Sequence, residues 1–179
     1  LIRRFGRPAG ADIPLAIPLR LTLRSVSGGA GGLVLWGLGG ATFLLAITLA
    51  AQWLNLAIQG TPPDPQAALQ LFVAADTPLA RVALVVAVTV FAPVFEEILF
   101  RGFLYRNLRD AMGAPLAMFA TGLVFAFCHL DPEQILPLTG IGIGLAFLYE
   151  HSGSLLTPIV AHALWNGGQV LTLYFLVSG

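Results

Sequence analysis

Six polar residues interrupt strongly apolar stretches of the sequence, and their types could carry out hydrolysis. They are Glu96, Glu97, Arg101, His129, His162 and Asn166. A carboxylate in an apolar setting becomes a better general base towards water. Imidazole and amide N–H groups can donate hydrogen bonds to a developing oxyanion. If these side chains converge on a water molecule in the folded protein, they can form a hydrolytic site.

The two adjacent glutamates are predicted to have different roles. Glu97 and Arg101 are four residues apart, so they share one helix face and can form an ion pair. Glu96 points about 100° away from Glu97 and is free for another role. Glu96 and His129 are predicted to lie at similar depths in the membrane only if the helix that carries Glu96 continues to Arg109. That continuation places Arg101 inside the protein, with Glu97 as its partner.

The remaining polar residues show the same spacing in two further apolar segments. His162 and Asn166 are four residues apart, as are Phe125 and His129, and we interpret Phe125 as a packing residue. Burial of polar groups is tolerable only where they face one another or water, so we expect the three helices to meet at these residues. Neighbours on a helix point about 100° apart, which argues against a dyad of Cys128 with His129.

The composition points to lipid as the solvent. Of the 179 residues, 57% are hydrophobic and 10% are charged, and the mean hydropathy is +0.85. A soluble domain carries roughly 25% charged residues, so a soluble protein is excluded. The nine basic residues are all arginines and the net charge is zero, which argues against nucleic acid as a partner. A single cysteine excludes a disulfide within the chain.

The apolar segments predict an all-α, polytopic membrane bundle of about five transmembrane helices. The spans are predicted at 33–58, from 79 onward, at 116–130, at 135–149 and at 155–177. We divide the chain into an arginine-containing juxtamembrane segment, a first transmembrane helix with its loop, and a helical core, at 1–32, 33–78 and 79–178. Glycines such as Gly140, Gly142 and Gly144 are predicted to permit close helix packing. Residues 150–154 are predicted as a polar connection, with Glu150 as a solvated charge.

The distribution of arginines predicts the orientation in the membrane. Cytoplasmic segments carry an excess of basic residues. A cytoplasmic N-terminus places all the arginines except Arg81 on the cytoplasmic side. We therefore expect an integral protein of a bacterial or archaeal cytoplasmic membrane, with its N-terminus in the cytoplasm.

The chain resembles the CPBP family, the CAAX prenyl protease and bacteriocin-processing membrane proteins that are also called the abortive-infection family. Three motifs carry the resemblance: Glu96-Glu97-x-x-x-Arg101, Phe125-x-x-x-His129 and His162-x-x-x-Asn166. Each motif alone is weak, but the three occur in the family's order, each on its own apolar segment. The resemblance covers roughly 79–177.

This resemblance implies a glutamate-dependent intramembrane endopeptidase. Glu96 would activate water, assisted by His129, and His162 and Asn166 would stabilise the oxyanion of the tetrahedral intermediate. The residues with structural or substrate-orienting roles would be Glu97 and Arg101. The partners implied are the lipid bilayer and a membrane-associated peptide or protein substrate, in CAAX-type processing or in bacteriocin maturation or immunity.

Three alternatives remain open. Two imidazoles and a carboxylate can hold zinc with one open position, so a zinc-dependent protease would use Glu96, His129 and His162, although we expect no cofactor. A non-catalytic immunity protein would use the polar cluster for packing and recognition. A small proton-coupled transporter would use the carboxylate, but no inverted repeat is visible. The sequence has no His-Glu-x-x-His motif, no Gly-x-Ser-x-Gly motif and no pair of aspartates within the spans.

Overall fold

The computed structural model of the protein describes residues 29–60 and 67–178, and these residues form helices and no strand. We number six helices in chain order: α1 Gly29–Gln59, α2 Ala67–Ala74, α3 Pro78–Met112, α4 Ala114–Cys128, α5 Ile135–Ser152 and α6 Leu156–Ser178. The arginines that precede the first span lie outside the described residues, as does part of the loop at 61–66.

The outer surface of the bundle is apolar. Within the described residues, Gly29–Ile58 and Pro78–Met112 are the helices that are long and apolar enough to cross a membrane. Only 11% of the most apolar window of α3 is buried inside the protein, which is the opposite of a core helix in a soluble domain. The all-α membrane bundle is thus confirmed, whereas the number of five spans stays a prediction.

Helix α3 is bounded by local signals in the sequence. At its start, the Thr77 hydroxyl accepts a hydrogen bond from the backbone N–H of Ala80 at 3.2 Å, and Pro78 occupies the first turn, where its missing N–H has no cost. At its end, Gly113 has φ of 84°, a conformation that side chains disfavour. The helix therefore continues past Arg101 and Arg109, as predicted.

Two stretches of α3 are π-helical, at Ala87–Phe91 and Ile98–Tyr105. Between them lies Ala92–Glu97, which is α-helical and contains Pro93 near its start. Proline inside a helix removes an N–H and clashes with the carbonyl four residues earlier. Short π-helical segments are frequent at functional sites, and here the two segments flank the adjacent glutamates.

Glycines let two pairs of helices approach closely, α4 with α5 and α1 with α6. A Cβ atom on Gly142 of α5 would lie 2.6 Å from the Cα atom of Gly122 on α4, so the two backbones touch at this crossing. A Cβ atom on Gly40 of α1 would lie 2.8 Å from Cβ of Ala161 on α6. The predicted role of small residues is confirmed at Gly142, and α1 is packed into the bundle through Leu44, which is fully buried in the core.

The predicted polar connection at 150–154 is wrong for its first residues. Helix α5 continues to Ser152 and ends at Gly153, whose φ is 65°. Glu150 accepts hydrogen bonds from Arg109, at 2.6 to 2.9 Å, and from the hydroxyl of Tyr105, at 3.0 Å. Glu150 is therefore not a solvated loop charge, because it joins the end of α5 to the end of α3.

Candidate active site

The buried ion pair predicted from the first motif is present. Nη1 of Arg101 donates to Oε1 of Glu97 at 2.8 Å, and both side chains are fully buried. Nη2 of Arg101 donates to the carbonyl oxygen of Gly142 at 2.8 Å. A buried charge is tolerated only when it is paired and hydrogen-bonded. The pair therefore fixes α3 against the glycine crossing of α4 and α5.

The same carboxylate also holds His162. Nδ1 of His162 lies 2.9 Å from Oε1 of Glu97, so one oxygen atom receives hydrogen bonds from both α3 and α6. An ionised carboxylate only accepts hydrogen bonds, which assigns the hydrogen of this contact to Nδ1. In the neutral ring, Nε2 is then the unprotonated nitrogen. Sequence reasoning had paired Glu97 with Arg101 alone and had missed this contact.

Glu96 lies on the other side of the His162 ring. Its Oε2 atom is 3.9 Å from Nε2 of His162, and its side chain is a quarter exposed. Oε2 of Glu96 is buried and has no hydrogen-bond partner among the described residues. A separation of 3.9 Å is too long for a direct hydrogen bond, but two such groups can share one water molecule. Glu96 is thus the carboxylate that the ion pair does not use.

Phe125 contacts both of the motif histidines. Its ring centroid is 4.6 Å from that of His129 and 6.0 Å from that of His162. Nδ1 of His129 is 2.7 Å from the carbonyl oxygen of Phe125, and a carbonyl only accepts, so this nitrogen carries the hydrogen. His129 caps the end of α4. The predicted assistance of His129 to Glu96 stays a prediction.

Asn166 contacts the backbone of α3. Its Nδ2 atom donates to the carbonyl oxygen of Val88 at 2.8 Å, within the first π-helical stretch. One of the two amide hydrogens is used in this way, and the predicted role of Asn166 at the oxyanion stays a prediction. One feature of the sequence indicates that a backbone carbonyl in this region lacks a partner. Pro93 lies inside the apolar run and has no N–H to donate to a helix carbonyl.

The three ligands predicted for a zinc-dependent enzyme are not assembled as a metal site. Within residues 29–60 and 67–178, no group of three His, Cys, Asp or Glu side chains is placed to hold a metal ion. His162 already directs Nδ1 to Glu97, so Nε2 is the nitrogen that faces Glu96. The sequence prediction that the protein needs no cofactor stays a prediction.

Comparison with known proteins assigns the chain to a family. The model of the Rce1-like family, type II CAAX prenyl endopeptidases, matches residues 78–168, just over half of the chain. The matched region contains all three motifs. The chain belongs to this family, and the protein is an integral membrane protein.

One curated relative is the "Putative membrane peptidase YdiL" of Bacillus subtilis (strain 168). It is 28% identical over 149 residues, which are 81% of this chain and 59% of the relative. The chain thus spans about three fifths of the length of that protein. No solved structure matches the chain.

Proposed function

We propose that this protein is an intramembrane endopeptidase in which Glu96 activates water for hydrolysis of a peptide bond. One observation carries the proposal. Oε2 of Glu96 is buried, has no partner among the described residues and faces Nε2 of His162 at 3.9 Å. A separation of 3.9 Å is compatible with one water molecule shared by the two atoms. A general base has to lie within reach of the proton it abstracts, directly or through one water.

The proposed reaction begins at this water molecule. Glu96 takes a proton from the water, and the water oxygen attacks the carbonyl carbon of the substrate. The carbonyl oxygen becomes an oxyanion, for which the second amide hydrogen of Asn166 and Nε2 of His162 are the proposed donors; His162 donates from Nε2 in its imidazolium form, with both ring nitrogens protonated. His129 assists Glu96. When the intermediate collapses, the C–N bond breaks and the proton held by Glu96 passes to the leaving amine.

The substrate we propose is a membrane-associated protein or peptide. This proposal is supported by the family, by the name of the Bacillus subtilis relative and by the apolar surface of the helices that carry the site. Within that class we propose either CAAX-type processing after a lipidated cysteine or cleavage of a peptide such as a bacteriocin precursor. We further propose that the N-terminus is cytoplasmic, which follows from the arginine distribution.

The test uses the purified protein in proteoliposomes and two quenched fluorescent peptides, a farnesylated Cys-Ala-Ala-X peptide and its unmodified counterpart. In parallel, new peptide termini are sought by mass spectrometry in membranes of cells that express the wild type. Glu96→Gln should lower the rate by about 10² to 10⁴ and leave the melting temperature unchanged. Asp110→Asn removes an exposed carboxylate from the same helix and should retain the wild-type rate.

Two outcomes would contradict the proposal. Full activity of the Glu96→Gln variant would exclude Glu96 as the base. Absence of cleavage of both peptides and of all membrane proteins, together with protection of cells against a bacteriocin by the wild type and by Glu96→Gln alike, would instead support a non-catalytic immunity protein.

A further inference from the structure

The backbone of α3 leaves one carbonyl without a backbone partner close to the site. In the first π-helical stretch, the N–H of Ala92 donates to the carbonyl oxygen of Ala87, five residues earlier. The next bond in this register would join residue 93 to the carbonyl oxygen of Val88. Residue 93 is proline, which has no N–H. The Val88 carbonyl therefore loses the partner that the helix would have supplied.

The side chain of Asn166 supplies the missing donor. Its Nδ2 atom lies 2.8 Å from the carbonyl oxygen of Val88, in a half-buried contact between α6 and α3. An unsatisfied carbonyl in an apolar environment costs free energy. Asn166, which lies on a different helix, thus offsets the free-energy cost of the carbonyl that Pro93 leaves without a donor.

This contact and the site share the same pair of helices. On α6, Asn166 comes one turn after His162, and on α3, Val88 comes about two turns before Glu96. His162 contacts Glu97 at 2.9 Å and faces Glu96 at 3.9 Å. Helix α6 therefore holds α3 at one point before Pro93 and at one point after it. A change at the first point alters the direction of the segment that carries Glu96.

We propose that Asn166 is a positioning residue, which sets the separation of Glu96 from His162 by binding the carbonyl that Pro93 leaves unpaired. This inference rests on the proposed function and adds a role to a residue that was predicted to contact the oxyanion. The two roles differ in one consequence. A positioning role depends on Pro93, whereas a donor to the oxyanion acts in the same way whatever residue is at position 93.

The test is a double-mutant cycle with Asn166→Ala, Pro93→Ala and the double variant. Pro93→Ala restores an N–H that can satisfy the helix carbonyls, so the contact of Asn166 with the Val88 carbonyl is no longer required. In the wild-type background, Asn166→Ala should lower kcat about tenfold for the farnesylated Cys-Ala-Ala-X peptide or the unmodified peptide, whichever is cleaved. In the P93A background, Asn166→Ala should cause a smaller loss, because only the contribution of its second amide hydrogen to the oxyanion is then removed. Equal losses in both backgrounds would overturn the proposal.

A second readout keeps the inference separate from the proposed function. Amide hydrogen exchange of residues 86–98, measured by mass spectrometry on the protein in lipid nanodiscs, requires no substrate. Asn166→Ala should accelerate this exchange about tenfold, and the double variant should return it to the rate of Pro93→Ala. Unchanged exchange in Asn166→Ala would overturn the proposal even if no peptide is cleaved.

The matched control is Thr172→Ala. It removes a hydrogen bond from the Thr172 hydroxyl to the carbonyl oxygen of Gly168, which lies within α6 itself. This variant should change neither kcat nor the exchange of residues 86–98. Acceleration equal to that of Asn166→Ala would show that α6 is generally loosened, and it would overturn a specific role for the contact with Val88.

Discussion

Nδ1 of His162 lies 2.9 Å from Oε1 of Glu97, so the glutamate next to the proposed base determines which nitrogen of the imidazole carries a hydrogen. Since a carboxylate only accepts, Nδ1 is the protonated nitrogen. Nε2 is consequently the nitrogen directed at Glu96. The two adjacent glutamates thus lie at opposite nitrogens of one ring: Glu97 is hydrogen-bonded to Nδ1, and Glu96, the proposed base, lies 3.9 Å from Nε2.

This assignment is testable by ¹⁵N NMR of the protein labelled at histidine. His162 should show a protonated Nδ1, and its signal is identified by its disappearance in His162→Ala. The chain has three histidines, so the spectrum is simple. Glu97→Gln should change the His162 signal and leave that of His151, whose Nδ1 contacts the carbonyl oxygen of Phe147. An unprotonated Nδ1 in the wild type would contradict the assignment.

Arg101→Met should destabilise the protein strongly. The substitution removes the partner of a fully buried carboxylate and also the hydrogen bond to Gly142. Breaking a buried pair by removing one partner costs about 3–5 kcal/mol. The loss is measured as a lower melting temperature in detergent, or as failure to purify a folded protein.

The double variant Glu97→Gln/Arg101→Met separates the unpaired charge from other effects. It removes both charges and should recover part of the stability that Arg101→Met loses. Arg81→Met provides the control, because Arg81 is exposed and donates to the nearby carbonyl oxygen of Ala75 rather than to a buried carboxylate. A double variant that is less stable than Arg101→Met would show that the buried charge is not the cause.

Gly142→Ala should reduce both stability and activity. The added Cβ atom would lie 2.6 Å from the Cα atom of Gly122, a backbone atom that cannot rotate away. The two helices must then separate, which moves the carbonyl that accepts from Arg101. Overpacking of this kind costs about 1–3 kcal/mol, and it is measured as a lower melting temperature and a lower cleavage rate.

Gly39→Ala is the matched control for this substitution. Gly39 also lies in a long apolar helix, but an added Cβ atom there has no atom within 4 Å. Alanine is the better helix former by roughly 1 kcal/mol, so Gly39→Ala should preserve or raise the melting temperature. Equal losses in Gly39→Ala and Gly142→Ala would indicate a general intolerance of alanine and would refute the crossing argument.

The sequence predicted the contacts within one helix more fully than the contacts that depend on how several helices pack. The ion pair of Glu97 with Arg101 was predicted because spacing on a helix is a local property. The convergence of Glu96 and His162 was predicted because buried polar groups need partners. The orienting contact of Glu97 with His162 was missed, since the rotation of one helix about its axis depends on its packing against others.

Contacts to the backbone were less visible in the sequence. Arg101 donates to the carbonyl oxygen of Gly142, and Asn166 donates to that of Val88. Every residue has a carbonyl, so residue types do not reveal which one is free to accept. The π-helical stretches were missed for a related reason, because hydrophobic patterning does not report a change in hydrogen-bond register. Only Pro93 indicated such a change.

Tyr105→Phe should have a moderate effect on stability. The hydroxyl of the buried Tyr105 donates to the carboxylate of Glu150 at 3.0 Å, and loss of a hydrogen bond to a charged group costs about 1.5–3 kcal/mol. The ring contact with Tyr149 is retained in the variant. A modest decrease in melting temperature is expected, with unchanged cleavage. Tyr174→Phe, at an exposed tyrosine, should show no decrease. A loss of cleavage in Tyr105→Phe would place this contact in the reaction rather than in the scaffold.

Metal removal tests the chemistry of the base directly. A zinc-dependent enzyme needs Glu96, His129 and His162 as ligands, yet in the described part of the chain no three such side chains are placed to hold a metal ion. We therefore expect cleavage to resist both EDTA and 1,10-phenanthroline. Inhibition by phenanthroline that added zinc reverses would contradict this expectation. It would require Glu96 to act as a ligand, in which case Glu96→Gln would lower the zinc content of the purified protein along with its activity.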